Sequence, residues 1–192
     1  MKKLTLLALT LLAYAVPCLA APGAEFAIKK VDVENPSSPE YTGPIAVRWT
    51  PQKWVKIEVT FDAVPDFTDE LTFNYYALTP DNRLFVGRVN HVNIAKGRDL
   101  HSVMYISPKS IQRISPHKTS PGGGLPLAQV TVTITKPGVS AALALGSYKA
   151  GGRGEWWATM KQEEGFLMNK SETPFAPLFW DYYEAVKPAS AR

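Results

Sequence analysis

Short runs in which apolar and polar residues alternate recur along most of the chain. Phe26, Ile28, Val31 and Val33 are interleaved with Lys29, Lys30, Asp32 and Glu34. That predicts a strand with one wet face and a register break at the lysine pair. Val55, Ile57, Val59 and Phe61 alternate with Lys56, Glu58, Thr60 and Asp62, and Leu71, Phe73, Tyr75 and Ala77 repeat the pattern. Pro80-Asp81-Asn82 supplies a turn. Leu84 to Ile94 and Val103 to Ile106, joined at Lys96-Gly97, are expected to form a hairpin, with Gly87 a candidate bulge. The cleanest alternation is Val130, Val132 and Ile134 against Thr131, Thr133 and Thr135, ended by Pro137-Gly138. Val139 to Leu145 reads as a weaker strand or a short helix, and Trp156 to Met160 and Leu178 to Val186 are the last strand candidates.

These segments predict an all-β fold. The pattern fits an immunoglobulin-like β-sandwich of about seven to nine antiparallel strands, with an open barrel as the alternative. No long stretch repeats at helical spacing, and helices do not alternate with strands, so a parallel α/β sheet is excluded. The chain has 192 residues and is 45% hydrophobic, which suits one domain with a real core. Sixteen prolines and thirteen glycines suit a chain that turns often.

The N-terminus reads differently. Lys2 and Lys3 precede an almost wholly apolar run from Leu4 to Val16; Pro17 breaks it, and Cys18 and Ala20 are small residues before Ala21. This is the three-part layout of a secretory signal peptide, giving residues 1–20 as leader and 21–192 as the mature domain. A run of 13 residues is short for a bilayer span, which needs roughly 20, so no transmembrane segment is expected after cleavage. The alternatives are a short anchor and a lipoprotein acylated at Cys18, although Pro17 fits the latter poorly. Cys18 is the sole cysteine, so cleavage leaves none for disulfides or for cysteine-type zinc sites. The protein is expected to be exported to the periplasm, outer membrane or cell surface.

Charge and motifs narrow the function by exclusion. Without Lys2 and Lys3 the 21 basic residues become 19, against 17 acidic ones, which makes no electrostatic case for nucleic acid. No G-x-S-x-G elbow or phosphate-binding glycine loop is present. His91 and His101 fall opposite each other across the expected hairpin, but no third ligand is evident beyond Asp99 at the turn. The plain reading is two exposed strand histidines, with His117 in a solvated loop. We expect no catalytic residues, metal or cofactor, and no enzyme activity.

Aromatic residues crowd the C-terminal part of the chain. Trp156, Trp157, Trp180, Tyr182 and Tyr183 form the candidate binding surface. On strands, the neighbours in Trp156-Trp157 and in Tyr182-Tyr183 would point to opposite faces. One reading is a platform for a protein partner or a sugar; the other is a set of rings covered by loops.

The segments His101-Ser102-Val103-Met104-Tyr105-Ile106-Ser107-Pro108-Lys109-Ser110, Gly154-Glu155-Trp156-Trp157, Asn169-Lys170-Ser171-Glu172-Thr173-Pro174-Phe175 and Phe179-Trp180-Asp181-Tyr182-Tyr183 resemble an exported verrucomicrobial family. That family includes a small protein from the type IV pilus-like gene cluster of Akkermansia. The resemblance covers most of the mature chain. It implies an immunoglobulin-like sandwich related to pilus components and carries over no catalytic residue. A pilin proper keeps its apolar N-terminal helix, whereas Ala21–Glu40 is polar. The resemblance therefore implies an accessory or surface-exposed module that binds protein partners in the envelope or associates with itself. The alternative is a carbohydrate-binding module using the C-terminal aromatics.

Overall fold

The alternating runs on either side of Asp62 to Asp69 do not form separate strands. They join into β2 (Val55–Leu78), 24 residues long, and the chain returns as β3 (Leu84–Ile106), 23 residues long. The turn between them closes where expected: Thr79 N–H donates to the Arg83 carbonyl, and Asn82 takes a left-handed backbone, φ 63°. The computed structural model describes residues 24–40, 50–114, 126–149 and 154–188. The expected leader, Cys18, His117 and Gly122-Gly123-Gly124 lie outside the described residues.

The fold is all-β, as expected; among the described residues, seven strands form one connected sheet. The others are β1 (Phe26–Glu34), β4 (Gln129–Thr135), β5 (Ala144–Tyr148), β6 (Gln162–Glu163) and β7 (Leu167–Asn169), and one short helix, α1 (Pro108–Ile114), follows β3. β1 pairs with the first half of β2, its register breaking between Ile28 and Lys30. β4 pairs with the second half of β2 from Thr72 to Leu78, and β5 lies outside β4. Short β6 and β7 line β3.

The hairpin expected within 84–106 does not form. β3 stays paired with β2 from Leu78↔Leu84 to Val55↔Ile106, and Gly97 sits opposite Ala63 instead of reversing the chain. The reason is that β2 offers a partner of nearly equal length, so pairing along it satisfies more backbone groups than a local turn. Left-handed Asn93 (φ 55°) and Asp99 (φ 56°), with register shifts around Ala63, bend the ribbon without ending it. The bend is sharp. His91 and Ser102 lie eleven residues apart, about 36 Å in an extended strand, yet His91 Nε2 is 2.7 Å from Ser102 Oγ.

The long ribbon therefore folds onto itself, and its two arms become two facing layers. The first arm carries β1, the start of β2 and the end of β3; the second carries β4, β5, the end of β2 and the start of β3. Inward side chains of both arms form one core that includes Phe26, Ile57, Phe61, Phe73, Tyr75 and Val132. Phe61 and Phe73, from opposite arms of one strand, meet with ring centroids 4.8 Å apart. Burial of this apolar face is the main force holding the layers.

Two glycines permit close approach. A methyl group on Gly146 in β5 would lie 2.3 Å from Ile28 Cγ2 in β1. Gly87 is not a bulge; it pairs regularly with Tyr75. Its missing side chain makes room for the other arm, since a Cβ there would sit 2.5 Å from Leu167 Cβ and 2.8 Å from Met104 Cε.

The expected strand over Leu178–Val186 is mostly turns, and only Val186 bridges a strand residue, His91. Glu184 N–H donates to the His101 carbonyl (3.1 Å), Val92 N–H to the Ala185 carbonyl (2.9 Å) and Lys187 N–H to the Asn90 carbonyl (2.8 Å). Four consecutive residues thus tie the free edge of one arm of β3 to that of the other.

Candidate functional site

Alternation along β2 and β3 places Lys56, Glu58, His101 and Tyr105 on the outer face of the first arm, around the partially buried Glu58. Lys56 Nζ lies 2.9 Å from one Glu58 oxygen, and Tyr183 donates its hydroxyl to the carboxylate at 2.7 Å. Tyr182 donates at 3.4 Å, and His101 Nδ1 stands 3.7 Å away. Burial alone would raise the pKa of Glu58, but the Tyr183 hydroxyl and the Lys56 ammonium outweigh it and hold the carboxyl below its ordinary range. Burial, reinforced by the carboxylate it serves, pushes the Tyr183 phenol well up, so Tyr183 remains a donor.

Beneath this polar layer lies a small aromatic base. Tyr105 and Phe175 stack at 4.7 Å, and Trp54 meets both edge-on, at 6.4 and 5.7 Å. Trp54 donates its Nε1–H to Ser38 Oγ at 3.0 Å. Burial raises the Tyr105 phenol to about 12. Above the base, Tyr182 stacks on His101 at 4.0 Å. The turn before it, opened by left-handed Phe179 (φ 53°), holds Phe179 and Trp180 at 71% and 77% exposure, with Tyr182 at 46%. Lys170 Nζ sits 5.9 Å from the Trp180 ring centroid and 5.4 Å from that of Tyr183.

Trp156 and Trp157 are elsewhere. The expected strand at Trp156–Met160 is a 3-10 helix, Trp156–Thr159, so the two rings need not face opposite ways. Both pack on the outer face of the second arm. Trp157 is buried and stacks on Tyr76 at 5.0 Å, while Trp156 donates to Thr131 Oγ1 at 3.2 Å. The five predicted residues therefore divide between two outer faces, Trp180, Tyr182 and Tyr183 on one and Trp156 and Trp157 on the other. They form no single row.

The histidines also separate. His91 is in the core, 1% exposed, which corrects its reading as an exposed strand residue; His101 is partly buried on the outer face. The bent, left-handed stretch between them moves one of the pair from the inward to the outward face. Backbone carbonyls of Glu184 and Ala185 face His91 Nδ1 at 3.0 and 3.3 Å. Carbonyls only accept, so Nδ1 carries the proton, Nε2 accepts from Ser102, and Tyr75 donates to Ser102 at 2.7 Å. Burial lowers the imidazole to about 4, against the smaller opposing effect of the carbonyls. Ser102 and His91 have the spacing of a nucleophile and its base, but with Ser102 at 0% exposure the pair is sealed and joins the two arms.

Glu58, Ser102 and Tyr75 did not stand out in the sequence. Ser102 left one trace, a polar residue in the inward row with Met104 and Ile106. Glu58 left none, because its phenol partners come from 124 and 125 residues further on.

A protein-family model matches residues 19–190. The chain belongs to that family. Its architecture is shared by a crystal structure from Akkermansia muciniphila, with a TM-score of 0.72 and 25% sequence identity over 86% of this chain and 94% of that one. The resemblance to an Akkermansia protein thus holds at the level of family and fold. No curated protein matches the chain. Among the described residues of this family member, no helix is long and apolar enough to cross a membrane.

Proposed function

We propose that the protein is an exported, non-enzymatic module with an immunoglobulin-like sandwich that binds protein partners, accessory to a type IV pilus-like assembly. The observation that carries this reading is the projecting turn of Phe179, Trp180 and Tyr182, anchored at its base by the Tyr183–Glu58 hydrogen bond. Contiguous exposed apolar groups on a soluble domain mark contact surfaces. Tryptophan and tyrosine are the residues that most often dominate them, because they bury large area at small entropic cost. Here the ring stack on His101 and the Glu58 network fix the turn before any partner arrives, which lowers the ordering cost of binding. The resemblance to the Akkermansia pilus-cluster family supports the envelope setting.

A photoreactive amino acid at position 180, activated in intact cells, tests this. The expected result is a discrete adduct with an envelope protein or a second copy, absent when the probe is at Lys109 on α1. A protein that stays monomeric by light scattering and yields no adduct from position 180 would sink the reading.

A further inference from the structure

The outer face of the second arm is built unlike an ordinary solvated sheet. Three parallel rungs cross it, set by the pairings Tyr76↔Thr131, Asn74↔Thr133 and Thr72↔Thr135 on one side and Tyr76↔Val86, Asn74↔Arg88 and Thr72↔Asn90 on the other. Its polar groups are mostly short neutral amides and hydroxyls, where solvent-facing strands more often carry long charged chains.

These groups are pre-oriented. Arg88 donates Nε–H to Asn74 Oδ1 at 3.1 Å, and the Asn74 amide nitrogen faces Thr133 and Thr135 hydroxyls at 3.5 and 3.4 Å. One donor of the guanidinium is thereby used; its terminal nitrogens have no partner among the described residues and remain available.

The face is also concave. A recess of about 510 Å³ is floored by Asn74, Arg88 and the threonines, and is walled by Tyr76 and Trp157 on one side and the β4–β5 turn on the other. A second recess of about 330 Å³ adjoins it and shares Asn74, Tyr76 and Arg88. Both volumes fall within the range of small-ligand sites, roughly 300–1,000 Å³.

Charge selects among ligands. Glu70 is paired with Lys187 and Lys136 with Glu25, each at 2.6 Å, which leaves Arg88 and Glu155 as a balanced pair in the larger recess. The smaller recess adds Glu164 and Glu172. Such a surface offers nothing to a polyanion, but it presents alternating donors and acceptors beside aromatic rings, the chemistry that recognises vicinal hydroxyls.

We infer that the linked recesses around Asn74 and Arg88 bind a neutral oligosaccharide of at least two sugar units. The larger recess lies on the outer face of the arm opposite the Trp180 turn, while the smaller one also reaches Met104, Leu167 and Asn169 of the first arm; the inference does not depend on the turn being a contact surface.

Proton–nitrogen correlation spectra of the full chain, titrated with oligomers of glucose, galactose and N-acetylglucosamine, test the inference, with an acidic heparin fragment as counter-probe. At least one neutral oligomer should give saturable shifts at the Asn74 side-chain amide, Arg88 Nε–H and the Trp157 indole, while the Trp180 indole stays put. Arg88→Ala, at an exposed position, and Asn74→Leu should each weaken that binding by roughly tenfold or more. Unchanged melting of Arg88→Ala would show that its loss is not a folding effect. Absence of saturable shifts with every neutral oligomer, shifts with heparin alone, or binding unaffected by both substitutions would each overturn the site.

Discussion

Acid should loosen this protein through one side chain. His91 is sealed against Ser102 and the Glu184 carbonyl, and its burial holds the imidazole at about 4 rather than 6.5. Between those values the unfolded chain binds a proton that the folded chain refuses, so stability is full above pH 6.5 and is lost as the pH falls towards 4. A gap of about 2.5 pH units, at about 1.4 kcal/mol each, gives a loss of about 3 kcal/mol. That is a large part of a typical total of about 5–15 kcal/mol. Other groups work against or beside it. Burial raises the Glu184 carboxyl, which adds stability as the pH falls, whereas Glu58, held low, loses its contribution only as its own carboxylate protonates. The measurement is therefore a comparison. Urea unfolding followed by tryptophan fluorescence, at pH 7 and pH 4, is run on the native chain and on His91→Gln. The native midpoint should fall by about 1–3 M more than that of the variant. Parallel losses in the two proteins, or an imidazole that titrates near 6.5 by NMR, would refute the argument.

Gly146→Ala should cost about 1–3 kcal/mol, because the new methyl would lie 2.3 Å from Ile28 Cγ2 and 3.0 Å from Ile28 Cβ. A lowered thermal midpoint checks it, and an unchanged one would mean that the β1–β5 approach is looser than described. The aromatic clusters should separate in the same assay. Trp157→Ala, which empties a buried stack on Tyr76, should cost about 3–5 kcal/mol, while Trp180→Ala at 77% exposure should stay within about 0.5 kcal/mol of the native chain.

Strand content was legible because one face of each strand is buried, so a period of two survives in the residues themselves. Even the break at the Lys29-Lys30 pair appears in the β1 register. Length was not legible: nothing in Asp62 to Asp69 or in Lys96-Gly97 says that pairing continues past a turn-like composition, since that depends on the partner strand. The same long-range dependence hid His91, whose burial follows from a bend that brings residues eleven apart into contact. The candidate aromatics could be listed from the sequence, but not sorted. Neighbours in Trp156-Trp157 obey a strand rule only on a strand, and they occupy a 3-10 helix.

The cross-tie made by Glu184 to Lys187 has a consequence for how the molecule comes into being. Synthesis runs from the N-terminus, so β1 to β7 are available before the chain delivers the segment that fastens the arms. Until then His91 Nδ1 lacks its carbonyl acceptors and both arms of β3 present open edges, the usual template for unwanted pairing. Glu184 to Lys187 act as a latch, and a nascent chain is vulnerable for as long as the latch is still to be made.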